Sequence, residues 1–61
     1  MDNNQLRERR SALGLSQTQL AQRLGVSLRS YQEWESGKTA IRRLVDLAME
    51  ALETRAQKAE Q

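Results

Sequence analysis

Apolar side chains recur along most of this chain every three or four residues, the spacing of one helix face, and a glycine closes each of the first three runs. Leu6, Arg10 (through its aliphatic stem) and Leu13 share one side of a first segment, which Asp2 or Asn3 can cap and Gly14 ends. Ser16 opens a second segment with two agreeing start signals. Gln19 stands three residues on, making a capping box, and Leu15 and Leu20 occupy the hydrophobic-staple positions. Leu20, Ala21 and Leu24 supply its buried side, and Gly25 ends it. Only Gly25 and Val26 separate that end from the next cap, Ser27, and Val26 and Tyr31 repeat the staple spacing. So short a connection makes two helices cross steeply, with the small Ala21 where they approach most closely. A helical hairpin that binds nothing satisfies the same capping pattern.

The third segment, Gly25 to Gly37, has two faces of opposite character. At about 100° per residue, Tyr31 and Trp34 project to one side, and Leu28, Arg29, Gln32 and Glu33 to the other. An isolated helix this short is marginal in water, so the aromatic side must be anchored in a core. Arg29 and Gln32 are then held outward on a rigid rod. Arginine and glutamine are suited to the edges of guanine and adenine in a major groove, which makes this a candidate DNA-recognition helix. Ser27, Leu28, Arg29, Gln32 and Glu33 are its candidate base contacts. Leu28 either meets a thymine methyl or seats the helix against its neighbour. Glu33 is awkward beside phosphates, so it either accepts from cytosine N4 or, spaced i to i+4, orients Arg29.

Thr39 is the next candidate cap, and a final helix is predicted from Ala40 into the fifties. Ile41, Leu44, Val45, Ala48 and Leu52 form one stripe, which Ala40, Leu47, Met49 and Ala51 widen to about 200°. A helix facing one core needs a stripe nearer 100°. The surplus either covers a dimer partner, with Leu47, Met49 and Ala51 at the interface, or reflects a small domain wrapped around its last helix. The organisation expected is one domain over 1–53, with 54–61 a polar helical extension or tail.

Sixty-one residues make a small core, since a chain this size buries only about 60% of its unfolded surface. Cysteine and histidine are both absent. That removes disulfides, the usual zinc sites and imidazole acid–base chemistry, so neither an enzyme nor a metal or cofactor site is expected. Ten Lys and Arg against eight Asp and Glu give a net charge of +2, which says less than its distribution. Arg7, Arg9, Arg10, Arg23, Arg29, Lys38, Arg42 and Arg43 precede Asp46, Glu50 and Glu53, an asymmetry that can produce a basic face. No apolar run approaches a membrane span and no signal peptide is visible. A soluble cytoplasmic protein is expected.

The stretch LGLSQTQLAQRLGVSLRSYQEWESGK resembles the helix-turn-helix of lambdoid phage repressors and Cro proteins, the xenobiotic-response-element class. The features that carry the resemblance are SQ opening the second helix, LA at the crossing, G at the turn and WE-SG closing the third. It runs from about Leu6 to Lys38, more loosely to Leu52. The resemblance implies an all-α, compact four- to five-helix bundle and a bacterial or phage-encoded, nucleoid-associated regulator. The segment SGKTAIRRLVDLA departs from the pattern: it has no proline and is about one residue short. The family's dimer geometry is therefore not carried over.

Phosphate contacts are expected at two helix N-termini, Ser16–Gln17 and Thr39–Ala40, where unpaired N–H groups and the positive dipole end suit anionic oxygen. By resemblance, Gln17 touches the DNA backbone, and Ser36, Lys38 and Thr39 form the loop gripping the opposite phosphates. Arg42 and Arg43 either extend that edge or form a solvated face paired with Asp46 and Glu50. Arg10 and Glu35 match an ion pair that bridges the first and third helices in relatives. Tyr31 and Trp34 are read as core, which disfavours single-strand binding by stacking.

One copy contacts too little DNA to be selective, whereas two copies about 34–36 Å apart would read a palindrome. The function expected is a homodimeric repressor on double-stranded DNA, acting by occupancy with no small-molecule ligand, ligand-sensing domain or cleavage domain. The alternatives are an antitoxin- or controller-type autoregulator that also binds a partner protein, and a protein-interaction module that retains only the fold.

Overall fold

The structure, a computed structural model, describes residues 1–59, with side chains as far as Ala56. Among the described residues four helices follow one another: α1 (Asn3–Leu13), α2 (Gln17–Leu24), α3 (Leu28–Glu35) and α4 (Arg43–Ala59). There is no strand among the described residues, and the fold is an all-α bundle. The predicted C-terminal extension continues α4 as far as Ala59; Glu60 and Gln61 lie outside the described residues.

Local chemistry sets the first three helices. Asp2 and Ser16 each form a complete capping box, with Gln5 and Gln19 respectively, and Ser27 accepts from the Ser30 N–H. At the turn between α2 and α3, the Gly25 N–H donates to the Gln22 carbonyl (3.2 Å) and the Val26 N–H to that of Ala21 (3.0 Å). This bond pair requires a left-handed residue between them, and Gly25 supplies it at φ 73°. The chain reverses in two residues, so α2 and α3 must cross.

Leu6, Leu20, Ala21, Tyr31 and Met49 are fully or almost fully buried. Leu13, Leu15, Leu24, Val26, Trp34, Val45 and Leu52 pack around them. Tyr31 and Trp34 meet edge to face, with ring centroids 6.2 Å apart, a favoured aromatic geometry. The aromatic side of α3 thus faces the core, as its spacing requires.

Two expectations for the last helix are corrected. It begins at Arg43, not Ala40, because Thr39 is turned back toward α3. The Thr39 N–H donates to the Glu33 carbonyl (3.3 Å) and its hydroxyl to the Glu33 carboxylate (3.4 Å), so it caps nothing ahead of it. The inward edge of the wide apolar stripe is also a different one. Val45, Met49 and Leu52, spaced i, i+4 and i+7, face α1 and α2. Met49 is 0% exposed, so it belongs to the protomer's own core and not to a subunit interface. Leu44, placed on the core stripe, is 74% exposed. Leu47 and Ala51 are exposed on the same outer side.

A second tie joins α1 to α4. The Arg9 guanidinium donates to Asp46 (2.6 Å) and, through Nε, to Glu53 (3.0 Å). Hydrogen bonds to these two carboxylates, that to Glu53 first, hold the guanidinium in its charged form more firmly than usual. Arg9 is consequently offset by two partly exposed carboxylates and adds little to a basic face. Among the described residues, no helix is long and apolar enough to cross a membrane.

Candidate nucleic-acid interface

The site is built from α3 outward. Its core side is fixed by Tyr31, while Ser27, Leu28, Arg29 and Gln32 are exposed on the opposite side. Leu28 is 38% exposed, an apolar side chain standing among polar ones. Arg29 takes part in no ion pair among the described residues. Glu33 does not orient it, contrary to the i to i+4 expectation. Its carboxylate turns the other way, toward Thr39, because the loop after α3 folds back over that end of the helix.

Behind the exposed face lies one carboxylate with four partners. Glu35 is only 4% exposed. It accepts from Arg10 Nε (2.7 Å), Gln17 Nε2 (3.0 Å) and the Tyr31 hydroxyl, and Arg7 Nε lies 3.8 Å away. Arg10 also donates to the Leu15 carbonyl (3.0 Å). Helices α1 and α2 are thereby tied to the C-terminal end of α3. Burial pushes the Glu35 carboxyl upward, but hydrogen bonds from Arg10, Tyr31 and Gln17 outweigh it and leave the group below its usual range. Burial first, and then the bond to Glu35, push the Tyr31 hydroxyl well above its ordinary value.

The depressed Glu35 carboxyl predicts an acid limit. A group whose folded pKa lies below the unfolded value, about 4.3 for Glu, stabilises fully above that value and loses its contribution as pH falls through the folded one. Asp46, lowered by its bond to Arg9, acts in the same direction. With no histidine present, the urea midpoint should be nearly flat between about pH 5 and 8 and fall steadily below about 4.5. A midpoint unchanged down to pH 2 would contradict the ionised state assigned to Glu35.

The remaining candidates flank α3 on both sides. Ser16 is occupied by its own capping box, its Oγ accepting from the Gln19 N–H at 3.1 Å. What it leaves for an anion is the first turn of α2, where N–H groups lack intrahelical partners. Gln17 stands beside the recognition face and accepts from Gln32 Nε2 at 3.4 Å. Ser36, Lys38 and Thr39 are exposed in the loop after α3, which the Lys38 N–H closes by donating to the Glu33 carbonyl (3.0 Å). Arg42 and Arg43 are exposed at the start of α4; Asp46, a suggested partner for them, is bonded to Arg9 instead.

Arg7 was not singled out from the sequence as a site residue. It rims an open depression whose lining also includes Arg10, Gln17, Gln32, Glu35 and Ser36, and it is half-exposed. Its position one turn before Arg10 on α1 was the available signal.

A two-residue turn, a crossing pair α2–α3, and an outward polar face on a helix anchored from behind define a helix-turn-helix. The family profile described as helix-turn-helix matches residues 6–48, from the first core leucine of α1 to the second turn of α4. The chain belongs to this family, one of DNA-binding transcriptional regulators. Comparison with curated proteins and with solved structures returns no match.

Proposed function

We propose that the protein is a sequence-specific repressor that binds a palindromic operator as a homodimer, with α3 of each copy in the major groove. The observation that carries this reading is the orientation of α3. Arg29 and Gln32 are exposed on one side, while Tyr31 and Glu35 are buried on the other. Arg29 is assigned to guanine and Gln32 to adenine, Ser27 and Leu28 to neighbouring edges. Glu33 is reassigned from base reading to support of the Thr39 loop. Gln17 with the first turn of α2, and Ser36, Lys38 and Thr39 after α3, grip phosphates on either side. Arg42 and Arg43 extend the second grip.

Leu47 and Ala51, joined by Leu44, form the proposed dimer surface on α4. Large exposed apolar side chains are informative where they cluster, and two of them, Leu44 and Leu47, on one helix edge beside Ala51 support self-association. The same patch supports the second reading, an autoregulator that also binds a partner protein. Sedimentation of the pure protein separates the two. A stable dimer covers the patch, and a persistent monomer leaves it for another chain.

Selection of bound fragments from random DNA tests the main reading and should return two inverted half-sites about one helical turn apart. Lys38→Ala should weaken binding to all sequences alike and reduce the slope of log affinity against log salt by about one. Fluorescence anisotropy at several salt concentrations measures this. Binding that ignores salt would rule out phosphate contact and leave a protein-interaction module.

A further inference from the structure

Where the last turns of α1 and α2 come against α4, Leu13, Leu15, Leu52 and Ala56 line an open cleft of about 340 Å³, and Arg23 of α2 and Arg55 of α4 complete its wall. No acidic residue lines it. Both arginines are exposed, and neither takes part in an ion pair among the described residues. None of the lining residues belongs to α3, to the loop after it or to the first turn of α2. The cleft is a second surface, distinct from the candidate nucleic-acid interface.

The lining selects the chemistry of an occupant. Three leucines favour an apolar group, and two arginines with no acid beside them favour carboxylates. Ligand pockets span about 300–1,000 Å³ and enclose most of their ligand. This cleft stands at the lower end of that range and is open, so a small molecule held there would stay largely wet. A side chain presented by a polypeptide needs only its own apolar end enclosed, as anchor residues at protein interfaces are. The floor is also fixed in advance. The Leu15 N–H donates to the Arg10 carbonyl (3.4 Å), and the Leu15 carbonyl accepts from the Arg10 guanidinium (3.0 Å), which Glu35 holds in turn. Leu13 and Leu52 pack against the buried cluster. A preformed floor lowers the ordering cost of association.

The geometry points to this cleft as a docking site for an acidic segment of another protein. A large apolar side chain of that segment enters between Leu13, Leu15 and Leu52, and Asp or Glu residues flanking it pair with Arg23 and Arg55. Such docking needs no DNA contact and leaves α3 uncovered, so the chain can hold a partner while bound to DNA. It is also separate from Leu44, Leu47 and Ala51, the surface assigned to a second copy, none of which lines the cleft.

The experiment selects random displayed peptides on the full chain and maps the winners by methyl NMR. Enriched peptides should combine a large apolar residue with Asp or Glu and shift the methyl signals of Leu13, Leu15 and Leu52. Arg23→Glu and Arg55→Glu should each weaken a selected peptide several-fold, since like charges then face each other. Replacing the peptide's acids with lysine should restore binding to the doubly reversed protein, a result that misfolding cannot give. Peptides without acids, peptides that shift Leu44 and Leu47 instead, or reversals without effect overturn the proposal. Octanoate tested alone covers the small-molecule case: equal shifts at lower concentration make the cleft a site for a free amphiphile and overturn protein docking. Shifts of the same leucines on simple dilution of the protein, without peptide, would show a second copy in the cleft and overturn it as well. Adding double-stranded DNA should leave the peptide shifts in place; their loss would put the cleft on the DNA-binding surface and overturn a separate site. If DNA itself fails to bind, the proposed function falls while the peptide result stands.

Discussion

Glu35→Ala is expected to unfold much of the protein. The substitution removes the shared acceptor of Arg10, Gln17 and Tyr31. Arg10 would keep only the Leu15 carbonyl, and the Tyr31 hydroxyl would be sealed in the core with no acceptor. Breaking one side of a buried charge pair costs about 3–5 kcal/mol, because the surviving charge stays desolvated. At roughly 0.05–0.15 kcal/mol per residue, a chain of this length has about 3–9 kcal/mol in all. The loss is therefore comparable with the whole stability. Urea titration followed by circular dichroism and Trp34 fluorescence measures it. Glu35→Gln keeps one oxygen acceptor and should fall between the two proteins. A loss below about 1 kcal/mol for Glu35→Ala would mean that α3 is held by its aromatic contacts alone.

The size of that effect follows from the scarcity of apolar packing. Among the described residues five apolar side chains are buried, and no disulfide is available in a chain without cysteine. Polar ties therefore carry an unusual share of the tertiary structure: Glu35 joins α1, α2 and α3, and Arg9 joins α1 to α4. Neither carboxylate cluster pairs with Arg29, so the face of α3 left to solvent carries that guanidinium without a carboxylate bonded to it among the described residues. Asp46, Glu53 and Glu35 are used on arginines of α1, which leaves Arg29 and Lys38 unpaired with carboxylates among the described residues.

What could be read from the chain was local. Ser16 with Gln19, Ser27 before its helix and Gly25 in the turn act on groups within about four residues of themselves, and the observed helices begin and end where those residues put them. The two-sided character of α3 was equally accessible, since Tyr31 and Trp34 can share a face only in one helical phase. The Arg10–Glu35 tie was not readable from spacing; it came through family resemblance. The partners of Arg9 stand 37 and 44 residues away, beyond any local pattern. On α4 both edges of a broad apolar stripe were acceptable to the sequence. Met49 rather than Leu44 faces inward, where it packs with Leu6, Leu20, Ala21 and Tyr31, a tertiary choice that the stripe alone leaves open. The partner of Glu33 likewise lies outside its own helix, in the loop that carries Thr39.

Arg29→Ala should produce the largest change in DNA recognition at little cost to the fold. Arg29 is exposed and tied to no carboxylate among the described residues, and alanine is the better helix former, so thermal stability should stay level or rise slightly. Operator affinity per half-site should fall by about 1–3 kcal/mol, because a bidentate contact to guanine is lost. Preference should relax at one base pair per half-site and persist at the others. Arg29→Lys should restore little of the discrimination, since an ammonium cannot reproduce the two parallel bonds of a guanidinium. Competition binding against operators varied one base pair at a time supplies the test. The contrast with Lys38→Ala decides the assignment: Lys38 should change the salt slope and leave the base preferences, Arg29 the reverse. If Arg29→Ala weakened operator and mixed-sequence DNA by the same factor, Arg29 would be a phosphate contact, and the reading of sequence would have to come from Gln32 and Leu28 alone.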